Sequence, residues 1–308
     1  MIVDLLLLVA GCVLLYIGAD RVIRYADTLG RRLRFSPVVT GLVIVAIGTS
    51  LPELAVSVDA AVHGYGAIAI GNVVGSNIVN ITLVIGAGAL LCALRPNAEM
   101  LERDMPALVV LTLVAAWMLL DGALGRIEGL MLLLSVSAFL AYRVLGQSGE
   151  FLPVRQGAAP RQPLWQTLIG FALGLVLLIA GAEAMVASAM GLARTLGVSE
   201  AVIALTVTAI ATGIPEIAAT LVAIRRGYAE LALGNIVGSN MINLGVVLGL
   251  TGLAAPVAGA SVGLVALATL VGLTLLLWAL LMMLPLVNRW TGVMLLTLFG
   301  AYQLAVVA

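Results

Sequence analysis

Two short stretches place a proline and a carboxylate inside otherwise apolar sequence: Gly48-Thr49-Ser50-Leu51-Pro52-Glu53 and Ala211-Thr212-Gly213-Ile214-Pro215-Glu216. Proline has no N–H to donate and clashes with the preceding turn, so carbonyls near Ala46, Thr49, Ala209 and Thr212 are expected to come free. Unpaired backbone at membrane depth persists only where it lines a cavity or meets an ion. Hydroxyl, carbonyl and carboxylate oxygens gathered at one point are the hard ligands that Ca2+ and Na+ take. The plainer alternative is a proline kink whose glutamate is satisfied by a neighbouring helix. The motif's double occurrence, in equivalent positions, weighs against it.

A second pair of stretches shares the spacing GNxxGSNxxN, at residues 71–80 and 234–243. Gly71 and Gly75 lie four apart, a small-xxx-small face that lets helices approach closely, and for the glycines packing is the expected role. Ser76 and Asn80, also four apart, place their oxygens on one helix face. The same holds for Ser239 and Asn243. Asn80 and Asn243 are expected ligands, with a structural amide bond as the alternative, whereas Asn72 and Asn77 could cap or bridge a helix break.

These motifs need elements to position them, and the composition says which. The 308 residues are 63% hydrophobic and 10% charged, more apolar surface than a soluble chain of this size can bury, so the chain reads as a polytopic membrane protein. A formal net charge of zero argues against a nucleic-acid partner. Cys12 and Cys92 have no CxxC or zinc spacing and are expected to be buried, inert thiols. No P-loop, HExxH or nucleophile elbow occurs, so the chain is not expected to be an enzyme or to need a cofactor. His63 is expected in a short solvated loop, and Asp20, Asp59, Asp121 and Glu183 near span ends. The N-terminal run lacks the basic start and cleavage pattern of a signal peptide and reads as a first span.

Ten runs are long enough to cross about 30 Å of hydrocarbon. They cover 2–19, with a helix continuing towards 34, then 37–62, 67–91, 105–120, 127–145, 164–192, 201–224, 230–253, 257–284 and 290–307. All fifteen basic residues are arginines. With the N-terminus outside, thirteen fall in inward loops and only Arg126 and Arg194 face out. The positive-inside rule therefore places both termini on the non-cytoplasmic side of the cell inner (plasma) membrane.

Sliding the chain by 163 residues aligns Gly18 with Gly181, Glu53 with Glu216, Asn72 with Asn235 and Arg126 with Arg289. Between Ser36 and Gly86, 22 of 51 positions are identical at that offset. Five spans per half is an odd number, so the halves insert upside down relative to one another. Inverted duplication is typical of secondary transporters, whose sites lie at the midplane on interrupted helices. The expected fold is all-α, with ten transmembrane helices in two inverted five-helix repeats (1–145 and 164–308) joined by a cytoplasmic connector, 146–163.

TSLPE followed by GNxxGSNxxN, occurring twice, resembles the α-repeats of the cation/Ca2+ exchanger superfamily, in its prokaryotic sodium/calcium exchanger branch, and the resemblance spans the whole chain. It implies that Glu53 and Glu216 are central carboxylates shared between Ca2+ and Na+. It further implies oxygens from Thr49, Ser50, Thr212, Ser76, Ser239 and Asn80, carbonyls at Ala46 and Ala209, and a gate formed by spans one and six. Some family members carry aspartate at the Asn243 position, and most carry serine where this chain has Gly213. Each difference removes a negative charge or an oxygen ligand. Potassium-dependent exchangers favour aspartate near Asn243, so that residue points to potassium independence. The proton/calcium branch usually has GNxxE in place of TSLPE. The 18-residue connector is too short for the calcium-sensing domains of animal relatives.

Two facing glutamates make a site of charge about −2 that is costly to bury empty. One Ca2+, two or more Na+, or two protons would neutralise it, so ions competing for the same carboxylates would be exchanged. The expected function is Na+/Ca2+ antiport across the lipid bilayer, with no oligomer required. The alternative is an antiporter of the same fold using H+ or another divalent cation. A cation channel, or an intramembrane two-acid hydrolase, comes from a different class. Neither a symmetric pore filter nor a pair of intramembrane aspartates is present to support it.

Overall fold

The computed structural model describes residues 2–146, 162–197, 211–258 and 263–307. Eleven helices follow one another in them. The first half contains α1 (Ile2–Leu33), α2 (Pro37–Thr49), α3 (Leu51–Val62), α4 (Gly66–Leu91), α5 (Met105–Met118) and α6 (Arg126–Gly146). The second contains α7 (Leu164–Thr195), α8 (Ile214–Arg225), α9 (Ala229–Ala254), α10 (Leu264–Met283) and α11 (Arg289–Val307). Among the described residues, six helices are long and apolar enough to cross a membrane, and α2 with α3, bent by 45°, makes a seventh. The architecture is all-α, with ten spans in two inverted halves, and the ninth span begins later than its hydropathy suggests. Val257, which follows Pro256, is used in a backbone bridge, and the helix starts only at Leu264.

The inversion is visible at the two ends of the bundle. Leu94 and Val287 exchange backbone hydrogen bonds of 2.9 Å in each direction, which ties the α4–α5 connection to the α10–α11 connection. Their mates at the 163-residue offset, Val257 and Leu124, repeat the same antiparallel bridge between the α5–α6 and α9–α10 connections. The first bridge lies at the end where α1, α4, α6, α8 and α10 finish. That end also holds most of the described arginines, and a cavity of about 700 Å3 there is bounded by Arg34, Asn97, Glu99 and Tyr228.

Two tight turns set α4 and α9 back against α3 and α8. Gly64 and Gly227 adopt positive φ (81° and 77°), which glycine alone reaches without a Cβ penalty. Tyr65 N and Tyr228 N then reach back to Ala60 O and Ala223 O at 2.7 and 2.8 Å. Both reversals are Schellman-like C-caps.

α1 and α7 are one continuous helix each, 32 residues long. At 1.5 Å per residue each runs about 48 Å, well beyond the hydrocarbon thickness, so both must tilt. They cross backbone to backbone through symmetry-related glycines: a Cβ on Gly11 would lie 2.9 Å from Met185 N, and one on Gly174 2.9 Å from Val22 N. Such small-residue faces are how helices associate where the surroundings are as apolar as the side chains. Cys12, on this pair, and Cys92, at the end of α4, are both exposed, contrary to the buried positions expected for them. The apolar stretches that carry them face outward, because the outside of a bundle in hydrocarbon is as apolar as its core.

Candidate functional site

Each glutamate occupies the third position of a short helix that begins at a break. α3 opens Leu51-Pro52-Glu53 and α8 opens Ile214-Pro215-Glu216. Proline is tolerated in a first turn, where its missing N–H would have no intrahelical partner. Ser50 (φ −84°, ψ 8°) makes the bend between α2 and α3. The carbonyl left without its helical donor is that of Gly48, because Pro52 has no N–H to give. Ala46 O, expected to come free, accepts from Ser50 N at 3.0 Å. A carbonyl oxygen has a second lone pair, so Ala46 O can still face the site. Ala209, its counterpart, lies outside the described residues.

Around this break hydroxyls of each half meet a hydroxyl or carboxylate of the other. Glu53, Glu216, Thr49, Ser50, Ser76, Ser239, Asn80, Asn243 and Ala46 are all buried, and Thr212 is partly so. Ser50 Oγ donates to Glu216 Oε1 at 3.5 Å. Thr49 Oγ1 lies 3.4 Å from Ser239 Oγ, and Thr212 Oγ1 lies 3.2 Å from Ser76 Oγ. Glu53 is close enough to Glu216 to feel its charge, and the Thr212 hydroxyl sits beside it.

Sequence reading left open a layer of side chains that holds this cluster together. Asn72 Nδ2 donates to Glu53 O at 3.2 Å and to Ser57 Oγ at 2.9 Å, while its Oδ1 accepts from Thr212 at 3.3 Å. The second half repeats the brace: Asn235 Nδ2 donates to Thr220 Oγ1 at 3.3 Å, and its Oδ1 accepts from Thr49 at 3.4 Å. Each asparagine thus joins its own half's glutamate helix to the threonine of the other half. One signal was available, since Ser57 and Thr220 are hydroxyl residues one helical turn after each glutamate. Asn77 plays no such part and donates back to Val73 O at 2.8 Å.

Asn80 and Asn243 each begin a π-helical turn, Asn80–Val84 and Asn243–Val247. Single π turns inside α-helices often accompany functional sites. Asn80 Nδ2 donates to Asn240 Oδ1 at 3.1 Å, leaving its own Oδ1 without a partner. Neither amide atom of Asn243 has one among the described residues.

The unpaired atoms define what the cluster can do. Both carboxylate oxygens of Glu53 and Oε2 of Glu216 are buried without a hydrogen-bond partner, and no arginine or histidine pairs with either glutamate among the described residues. Nor, among the described residues, do three or more His, Cys, Asp or Glu side chains gather to hold a metal. A buried carboxylate pair without a counter-charge is unfavourable, and a mobile cation with hydroxyl and amide oxygens around it would relieve it.

The family described as sodium/calcium exchanger protein matches residues 3–145 and again 166–308. CaxA of Alkalimonas amylolytica is 39% identical, the match covering 98% of both chains. The sodium/calcium exchanger MaX1 of Methanosarcina acetivorans is 30% identical over 97% of both. The solved structure of the sodium-calcium exchanger NCX_Mj, soaked with zero Na+ and Ca2+, superposes with a TM-score of 0.84 at 29% identity, covering 99% of each chain. With matching halves, a matching fold and an oxygen-lined carboxylate pair between them, the chain belongs to the sodium/calcium exchanger family and is a multi-pass membrane cation/Ca2+ antiporter, not an enzyme.

Proposed function

We propose that the protein exchanges Na+ for Ca2+ by alternating access, moving Ca2+ out of the cytoplasm on the sodium gradient, with Glu53 and Glu216 as the carboxylates that both ions use. The observation that carries this reading is the pair of fully buried glutamates with three oxygens unpartnered, and no basic neighbour, among the described residues. Ca2+ takes six to eight oxygens, and two carboxylates supply at most four. Thr49, Ser50, Thr212, Ser76, Ser239, Asn80, Asn243 and the carbonyl of Ala46, with that of Ala209 in the other half, would complete the shell. Coupling follows from charge: one Ca2+ or two or more Na+ cancels the pair, and the two loads cannot occupy it together.

The functional units are the halves 1–145 and 164–308, joined by the connector 146–163. The arginine-rich face is the cytoplasmic one, which puts both termini on the non-cytoplasmic side of the inner membrane. Nothing in the mechanism requires a second copy of the chain. Ca2+ flux into proteoliposomes, with Na+ and pH gradients imposed separately, tests the reading. Flux driven by the Na+ gradient at constant pH is expected. Flux driven only by a pH gradient would instead identify an H+/Ca2+ antiporter, and flux indifferent to both gradients would identify a channel.

A further inference from the structure

The α1–α7 pair does not sit symmetrically on α3 and α8. α1 runs along α8, and α7 touches α8 as well, yet neither makes comparable contact with α3, the symmetry mate of α8. Leu51, at the start of α3, is 41% exposed, whereas its mate Ile214 is 6% exposed. The pair therefore covers α8 and leaves the start of α3 exposed.

An ion pair marks the covered side. Asp20 of α1 accepts from Arg226 Nε at 2.6 Å and also from its terminal nitrogen. Arg226 is the residue before the Gly227 turn, so this contact fastens the mobile candidate, α1, to the α8–α9 loop at the arginine-rich face. Arg24, one turn along α1, holds the same carboxylate at 3.0 Å. At the 163-residue offset the mates of Asp20 and Arg226 are Glu183, on α7, and His63, before the Gly64 turn. The duplication has kept an acid on the long helix and a base before the glycine turn at both ends. At the bare end the acid and base are apart: Glu183 is exposed without an ion-pair partner among the described residues, and His63 Nδ1 lies 3.3 Å from Asp59 of its own helix.

We infer that Asp20–Arg226 and Glu183–His63 are alternating latches, one at each end of the α1–α7 pair, of which the first is closed and the second open in this conformation. This rests on the alternating-access reading above and adds which contacts hold each end shut. In an inverted repeat the opposite-facing state is reached when the halves exchange conformations. The contact now made by α1 to the α8–α9 loop is then made by α7 to the α3–α4 loop. Asp20 gives up Arg226 and falls back on Arg24, while His63 leaves Asp59 for Glu183. Asp20 and His63 each have a neighbour waiting close by in their own half, Arg24 and Asp59, so these two groups keep a partner in both states.

The test uses the full-length protein in liposomes with Cys12→Ser and Cys92→Ser. Two cysteine pairs are introduced separately, at positions 20 and 226 and at positions 63 and 183. The 20/226 pair is expected to cross-link readily on oxidation and, once linked, to stop exchange until reductant is added. The 63/183 pair should cross-link slowly, and several-fold faster when Arg226→Gln opens the other latch. Charge-swapped Asp20→Arg with Arg226→Asp should bring that rate back, which separates loss of the latch from misfolding. If the 63/183 pair never links in protein whose 20/226 pair does, or if linked 20/226 protein still transports, the inference is wrong. Cross-linking does not depend on which ions move, so its failure leaves the Na+/Ca2+ reading standing. Normal cross-linking without Na+-driven flux would do the reverse.

Discussion

Among the described residues, acidic side chains are buried in two places and treated in opposite ways. Asp104, entering α5, is fully buried but meets Arg143 of α6, itself buried, with Nε–Oδ1 at 2.7 Å and Glu99 3.0 Å from the same guanidinium. Glu53 and Glu216 are as deeply buried and, among the described residues, meet hydroxyls and each other's charge but no arginine or histidine. Where the chain needs a charge for structure it encodes the counter-charge as well. At the site it encodes only oxygen, so the counter-charge has to come from solution. The contrast teaches that burial alone does not mark a functional acid; burial without an encoded partner does.

The comparison breaks most sharply at its unpaired side. Glu53→Gln or Glu216→Gln leaves one carboxylate to face a divalent ion. Losing one partner of a buried charged contact costs about 3–5 kcal/mol, roughly a hundredfold or more in apparent affinity. Ca2+ exchange in proteoliposomes should fall to background, while the purified variants keep wild-type thermal stability. Wild-type flux from both would remove the glutamates from the mechanism. At the paired side the expectation reverses. Arg143→Met strands Asp104, so folding stability should drop by about 3–5 kcal/mol while protein that still folds exchanges normally. Adding Asp104→Leu should restore much of that loss, because a buried pair replaced by apolar residues is often neutral. Denaturation in detergent, read as a double-mutant cycle, measures both.

Much of this was legible in the residues because duplication wrote each signal twice. The proline–glutamate breaks, the ten spans and the inverted halves follow from hydropathy and one offset. Thr49, Ser50, Ser76 and Ser239, the oxygens implied by the family resemblance, make their contacts across the two halves. What escaped depended on neighbours far apart in the chain. Nothing local says that Asn72 reaches Thr212, or that Asp20, read as an interfacial residue, is held by Arg226. Cys12 and Cys92 were misplaced for a different reason: hydropathy cannot tell a helix face turned to lipid from one turned to the core. The carbonyl robbed by Pro52 is four residues before it, at Gly48, whereas that of Ala46 keeps its helical donor, Ser50 N.

A finer test acts on the braces. Asn72→Ala removes the link from Glu53 O and Ser57 to Thr212, and Asn235→Ala removes its counterpart. Neither residue contributes a charge, so the expected cost is that of leaving buried polar partners unmet, about 1–3 kcal/mol. Apparent Ca2+ affinity should weaken by roughly 5- to 100-fold, with Na+ still able to drive the residual flux. Unchanged affinity in both variants would make the asparagines packing residues only.

The smallest effect separates the two glutamates from each other. Glu216 Oε1 has a donor because Ser50 stands across from it. Among the described residues the Glu53 oxygens have no hydrogen-bond partner, with the Thr212 hydroxyl only nearby, and the mate of Ser50 is Gly213. Gly213 sits at φ −78°, ψ −4°, a conformation open to any residue, so serine can enter without backbone strain. Gly213→Ser should hand the Glu53 side the hydroxyl it lacks. Ser50→Gly should strip the Glu216 side to match. A hydrogen bond or ligand contact of this kind is worth about 0.5–1.5 kcal/mol. The first change should tighten apparent Ca2+ affinity by roughly two- to tenfold, and the second should loosen it by a similar factor. In the double variant the serine changes sides, so the shifts should nearly cancel if the halves are interchangeable about the ion. A double variant far weaker than wild type would show that the ion lies nearer Glu216, and that the missing hydroxyl at Gly213 is part of how this chain selects its load.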